Sequence, residues 1–473
     1  MVIHPYDHPV HGYRPVKRAG RIPGFWLRAL TIAMSLPVFS AISASAAENT
    51  LYAFDEWLSP GNVNGSYPLG TLLRDGSGAL YGSTWYGGTS GNGVIFKLTP
   101  PPNGQDGWSL TVLHSFQGFA DGSTPNPVLA MDSTGALYGT TQYGGSFADQ
   151  GVVFKLTPPA PGTTTWQYSV LHAFNFSSVF NSPDGAHPNG GLILGTDGAL
   201  YGTTNLGGVT TDPSGIGFGT VFRLVPLDAE RTNWQETVLY CFQSMLDGKN
   251  PIFALTQDAA GALYGTTLYG GDGPCLDVMS TLIGCGTVFR LSPPAYGQTV
   301  WTKTTLYSFT GGTDGNMPEG RLTLDTAGQV YGTTTQGGFG ACQDGMGFLI
   351  GCGTVYQLTP TANDCWAKSI VHSFSSDDGS YPQGGVIMDG TGTLFGTASA
   401  GGSNQYLRYG VVYQLAPPTA GSPAWTRTVL YNFDNTAGMR PIGELVLDSA
   451  GNLFGVANVG GPNGGGVVYE ITP

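Results

Sequence analysis

The fold of this chain can be read from Ala136-Leu137-Tyr138-Gly139-Thr140-Thr141, followed closely by Gly144-Gly145. The aromatic of this stretch recurs at Tyr81, Tyr138, Tyr201, Tyr264, Tyr331, Phe395 and Phe454, at spacings of 57, 63, 63, 67, 64 and 59 residues. A repeat of that length is one supersecondary unit, which buries its apolar face only by stacking on its neighbours.

Each unit reads as four strands. Strand a follows a proline and carries a Leu-x-x-Asp segment, as in Pro127-Val128-Leu129-Ala130-Met131-Asp132; the quoted stretch is strand b. Val152-Val153-Phe154-Lys155-Leu156 is strand c, and strand d runs from Trp166 to Phe174. Apolar groups on both faces of strand c suit a blade held between two others. An Asp lies six residues before the strand-b aromatic at Asp75, Asp132, Asp258, Asp325, Asp389 and Asp448, with Gly195 there in the third copy. A glycine lies three residues before it in every copy, so the pair reads as a type I turn. The ends of the chain complement each other: Leu51-Tyr52-Ala53-Phe54 matches the end of a strand d, and Val467-Val468-Tyr469-Glu470-Ile471 is a strand c. An open stack would leave two unpaired edges, whereas a ring pairs them. The expected fold is all-β: a seven-bladed β-propeller of four-stranded antiparallel blades, closed by the N-terminal strand pairing in the last blade. The expected blades cover about 67–116, 125–174, 188–242, 251–309, 318–374, 382–433, and 441–473 plus 50–55.

Composition agrees. Of 473 residues, 75 are Gly and 32 Pro, and 12% are aromatic, which suits many short strands and tight turns better than helices. Only 10% are charged, too few for a disordered chain. Residues 1–46 read as an export signal: Arg14, Lys17, Arg18 and Arg21 precede an apolar run from Phe25 to Ile42, and Ala44-Ser45-Ala46 offers a cleavage site. No second apolar run is long enough to span a membrane after cleavage. The net charge of −13, more negative once the signal is removed, opposes nucleic acid.

The set Leu-Tyr-Gly-Thr-Thr, Gly-Gly, Gly-Thr-Val-Phe-Arg/Lys-Leu-Thr-Pro, Trp, Leu-Tyr-Ser-Phe and Asp-Gly-x-x-Pro resembles the GloVer tandem-repeat family of bacterial exported proteins, also called choice-of-anchor proteins. Good copies are Leu263–Leu291 and Val330–Leu358. The resemblance implies export and a propeller-like repeat, and carries over no activity. Gly-Gly before an aromatic strand, with a later Trp, is also kelch-like by analogy.

In such a meander the b–c and d–a loops share one face. The b–c loops vary, with 4, 5, 10, 14, 14, 7 and 4 residues between Gly-Gly and the glycine that opens strand c. Variable loops on a rigid scaffold are where binding resides. The candidate ligand residues on this face are Trp85, His187 and the Asp-Gly aspartates Asp121, Asp184, Asp247, Asp314 and Asp378. The aspartates suit turns better than a calcium site, since no dense acidic loop accompanies them; calcium stays open and no other cofactor is expected. His114, His172 and His372 share a repeat position with Tyr240, Tyr307 and Tyr431, which marks packing rather than catalysis. No catalytic or metal motif appears. Cys275/Cys285 and Cys342/Cys352 flank equivalent long loops and read as two local disulfides, with a shared zinc site as the rival. Cys241 and Cys365 are expected buried and unpaired. One Trp per strand d (Trp108, Trp166, Trp234, Trp301, Trp366, Trp425) points to packing between blades; Trp57 stands outside the set. The expected protein is a monomeric, non-catalytic, exported propeller that binds an unidentified protein or glycan. A polysaccharide lyase or hydrolase and a purely structural surface protein are the alternatives.

Overall fold

The computed structural model describes residues 46–56, 59, 61–102, 107–145, 149–175, 182–209, 216–277, 280–344, 347–362, 365–403 and 409–473. All of the expected export signal except Ala46 lies outside these residues, as does Trp57. The seven sheets are antiparallel blades, each with strand a innermost. In strand order a to d, blade 1 comprises Ser66–Arg74, Leu80–Tyr86, Val94–Thr99 and Ser109–Ser115. Blade 5 repeats it with Asn316–Leu324, Val330–Gln336, Thr354–Pro360 and Trp366–Ser373. Blade 7 takes strands a to c from Met439–Leu447, Leu453–Val459 and Gly464–Thr472, and its strand d from Ala47–Asp55. That N-terminal strand pairs antiparallel with the last one, from Ala47 opposite Thr472 to Asp55 opposite Gly464, so the ring is closed as expected.

The seam chemistry explains why the motif repeats. The aromatic that ends each strand d meets the strand-c aromatic of the next blade: Phe116–Phe154, Phe174–Phe222, Phe242–Phe289, Phe309–Tyr356, Phe374–Tyr413 and Phe433–Tyr469. The closing seam has its own pair, Phe54–Phe96, with ring centroids 5.3 Å apart. The tryptophans also work between blades: Trp166 meets Tyr81, Trp234 meets Tyr138, and Trp108 reaches Phe454 across the closure. The glycine opening strand c sits against the strand-a proline of the next blade in all seven seams, from Gly93–Pro125 to Gly466–Pro68. A Cβ there would overlap the proline ring, and φ is positive at each, so only glycine fits.

The turns follow the sequence. In every copy the turn glycine N–H donates to the carbonyl three residues earlier, as in Gly135 to Asp132 (3.0 Å). The Asp also accepts from the strand-b hydroxyl, as from Tyr138 (2.8 Å). In blade 3, where Gly195 takes the Asp position, Asp197 supplies the acceptor for Tyr201 instead (2.8 Å). One expectation changes. Strand a of blade 2 is split into Ser123–Pro125 and Ala130–Met131, and Pro127–Leu129 does not pair. Pro127 has no N–H to give the ladder. Among the described residues no helix is long and apolar enough to cross a membrane.

Candidate functional site

Strand a enters the axis through a proline in every blade: Pro68, Pro125, Pro188, Pro251, Pro318, Pro382 and Pro441. The residue before it is Tyr67, Thr124, His187, Asn250, Met317, Tyr381 or Arg440, and all seven have φ between 52° and 58°. They make up seven of the eleven positive-φ non-glycine positions among the described residues. The seams hold them there. Across six of them the N–H donates to a b–c-loop carbonyl of the preceding blade: Thr124 to Asn92 (3.0 Å), His187 to Gln150 (2.8 Å), Asn250 to Phe218 (3.0 Å), Met317 to Cys285 (3.1 Å), Tyr381 to Cys352 (2.9 Å) and Arg440 to Tyr409 (2.8 Å). This conformation costs an L-residue roughly 1–2 kcal/mol, and only Asn250 among the seven is of a type that adopts it readily. The other six, all half-buried, keep bulky or functional side chains at strained positions around the axis. Strain retained in this way is characteristic of ligand sites.

The side chains of this collar meet the ends of the b strands. His187 packs edge-on against Tyr143 (5.1 Å), with Nδ1 3.1 Å from the Gln142 carbonyl. Asn250 Nδ2 donates to Asn205 Oδ1 (2.6 Å), and Tyr381 Oη donates to the Gln343 carbonyl (3.1 Å). Tyr67 packs edge-on to Tyr86 (5.9 Å), and Tyr86 stacks on Trp85 (5.7 Å, 4° between planes). Of the expected residues, His187 belongs to the collar, and Trp85 borders it through Tyr86, two blades away. The rest of the collar escaped the reading of the sequence, although its signal was there: one variable position directly before an invariant proline.

Below the collar the axis is polar. Asn126 donates to Thr140 Oγ1 (2.8 Å) and to the Pro188 carbonyl. Asn189 Oδ1 and Gln383 Oε1 are buried with no partner among the described residues. Glu319 is 4% exposed; burial pushes its carboxyl up to about 8, against the pull of a hydrogen bond from Thr335. Toward the a–b turns, a cavity of about 350 Å³ is lined by Thr71, Val128, Arg321, Met388 and Glu444.

The five aspartates lie farther out, along strand d, and each is engaged within the protein. Asp121 Oδ2 lies 3.1 Å from His114 Nε2, and both of its oxygens accept the Gln117 N–H. Asp184 Oδ2 lies 3.3 Å from His172 Nε2. Asp247 accepts from Tyr240 (2.9 Å) and from Lys303 of the next blade (2.7 Å). Asp314 accepts from Tyr307 (2.8 Å) and Lys368 (2.8 Å). Asp378 lies 3.1 Å from His372 Nε2 and 3.2 Å from Arg427 Nε. Burial raises the Asp314 carboxyl, but the hydrogen bonds from Lys368, the Thr310 N–H and Tyr307 outweigh it and hold it below the usual range. Asp247, Asp314 and Asp378 thus act as latches between blades, and the His/Tyr position beside each of the five is their shared partner.

The two disulfides, Cys275–Cys285 and Cys342–Cys352, form as expected and suit an oxidising environment. Cys285 and Cys352 are also the acceptors for the Met317 and Tyr381 N–H groups, so each bridge steadies one collar residue. Cys241 and Cys365 are free, but neither is buried: Cys241 is half-buried and Cys365 exposed. Cys365 falls in the c–d link, where its carbonyl closes a turn with the Thr361 N–H (2.8 Å), and not inside a strand. Among the described residues no group of three or more His, Cys, Asp or Glu is placed to hold a metal.

The family model described as the Gloeobacter/Verrucomicrobia repeat matches residues 38–276, 167–343 and 339–473. The chain belongs to this family. No curated protein matches it. Among solved structures it is similar to the gluconolactonase XC5397 of Xanthomonas campestris, at 13% identity and TM-score 0.38, over 75% of this chain and 87% of that one. It is also similar to a Thermus thermophilus protein named as an oxidoreductase (glucose dehydrogenase), at 15% identity and TM-score 0.40, covering 81% and 99%. A copper-bound fungal alcohol oxidase of the AA5 family matches at 13% identity and TM-score 0.46, covering 89% and 77%. These likenesses concern the fold.

Proposed function

We propose that this protein is an exported, non-catalytic propeller that binds a glycan or protein partner through its variable-loop face, at the collar around the axis. The observation that carries this reading is the strained ring: six blades keep a non-glycine, non-asparagine residue in the left-handed conformation, although this chain uses glycine freely elsewhere. The three histidines best placed for acid–base work, His114, His172 and His372, are each bound to an Asp-Gly aspartate at a position where tyrosine serves equally. The test is a glycan array probed with residues 47–473, with and without calcium, alongside the triple variant Tyr67→Asn, His187→Asn, Tyr381→Asn. Asparagine accepts the backbone conformation, so the variant should melt at an unchanged or higher temperature and lose binding at least tenfold. Full binding by a folded triple variant would sink the collar reading.

A further inference from the structure

Arg440 differs from the two lysines that latch neighbouring blades. Lys303 and Lys368 have side chains 4% and 5% exposed, and each carries an aspartate at 2.7–2.8 Å. Arg440 is half-buried, and burial lowers its affinity for the proton, but its side chain has no hydrogen bond or ion pair among the described residues. A cation partly withdrawn from water and left unpaired gains from a bound anion. Its place in the collar is specific. Blade 7 lies between blades 6 and 1 in the ring, so the collar residues on either side of Arg440 are Tyr381 and Tyr67.

We propose that Arg440, between Tyr381 and Tyr67, makes the collar a receptor for the carboxylate of a uronate-bearing oligosaccharide. The inference rests on the loop-face reading above and gives it a ligand class. Guanidinium is the side chain suited to paired hydrogen bonds with a carboxylate. Tyrosine rings offer the apolar face and polar edge that pack against a sugar ring. The net charge of −13 repels a long polyanion at a distance, so the ligand is short or sparsely charged.

The experiment is calorimetric titration of residues 47–473 with trigalacturonate and with neutral galactotriose, repeated on Arg440→Gln and Arg440→Lys with melting curves for each. The expected result is binding of trigalacturonate over galactotriose, weakened at least tenfold in Arg440→Gln and partly retained in Arg440→Lys, with melting unchanged. Equal affinity for the two trisaccharides, or trigalacturonate binding unaffected in a folded Arg440→Gln, overturns the uronate proposal while the collar reading stands. Absence of binding to trigalacturonate overturns it as well, and the array with the triple collar variant then decides the broader reading alone.

Discussion

Single side chains show where this repeat is imperfect. Blades 1 to 4 pack a phenylalanine under the strand-b glycine, whereas blades 5 to 7 use Tyr356, Tyr413 and Tyr469. Each of these tyrosines is fully buried, and none of the three hydroxyls has a partner among the described residues. Burial alone drives their ionisation far above the usual tyrosine range for Tyr356 and Tyr413. An unsatisfied buried hydroxyl costs about 1–3 kcal/mol. Replacing Tyr413 by Phe, the residue that the first four blades use, should therefore raise stability by about 1 kcal/mol in urea unfolding; a loss of that size would show the hydroxyl is satisfied. The left-handed collar is the opposite kind of residue-scale fact. Nothing about Thr124, Met317 or Arg440 as residue types announces a positive φ, because the seam N–H bond holds it from outside. That is why the reading of the sequence named Trp85 and His187 on the loop face but not the other residues around the axis.

At the level of strands, the latch between strand d and the preceding loop varies from seam to seam. The position that presents Lys303, Lys368 and Arg427 to an aspartate presents Glu236 to Asp184 in the seam between blades 2 and 3. Glu236 Oε1 and Asp184 Oδ1 are buried without partners among the described residues. Burial pushes the Glu236 carboxyl up to about 7, the nearby His172 pulling it down and Asp184 pushing it further up. An acid with a raised folded-state value binds its proton more tightly when folded. Its stability contribution is thus complete below its ordinary value near 4.5, is lost as pH rises toward 7, and stays lost above. The melting temperature should fall over that window in the wild type and lose this component of its fall in Glu236→Gln. Glu236→Lys should restore the latch and add about 0.5–1 kcal/mol at pH 7.5; a destabilised Lys variant would refute the latch. None of this was legible beforehand. The Asp-Gly pairs read as turns or ligand residues, since the cross-blade partners of Asp247, Asp314 and Asp378 sit about fifty residues along the chain.

The architecture of the whole molecule was the most legible part, because it is written in complementary ends and in seven copies of a turn whose Asp, Gly and aromatic explain one another. The third copy confirms the logic: Asp197 restores the acceptor that Gly195 lacks. The closing seam repeats the six others, with Phe54 on Phe96, Trp108 against Phe454 and Pro68 against Gly466. Phe54→Ala removes a fully buried ring from that seam and should cost roughly 3–5 kcal/mol. Hydrogen exchange should then show lost protection first in Val467–Ile471 and in Val94–Leu98. Unchanged protection there would refute closure through the N-terminal strand.

The pairing of Ala47–Asp55 with Gly464–Thr472 also sets an order of events. The first strand of the propeller to leave the ribosome is the outer strand of the last blade, and it waits for a partner more than four hundred residues away. Each of the other blades can assemble from its own local stretch, but the ring cannot seal until residue 472 has been made. Joining ends so distant is entropically the slowest contact in the chain. A polypeptide built this way locks its ring in a single late step.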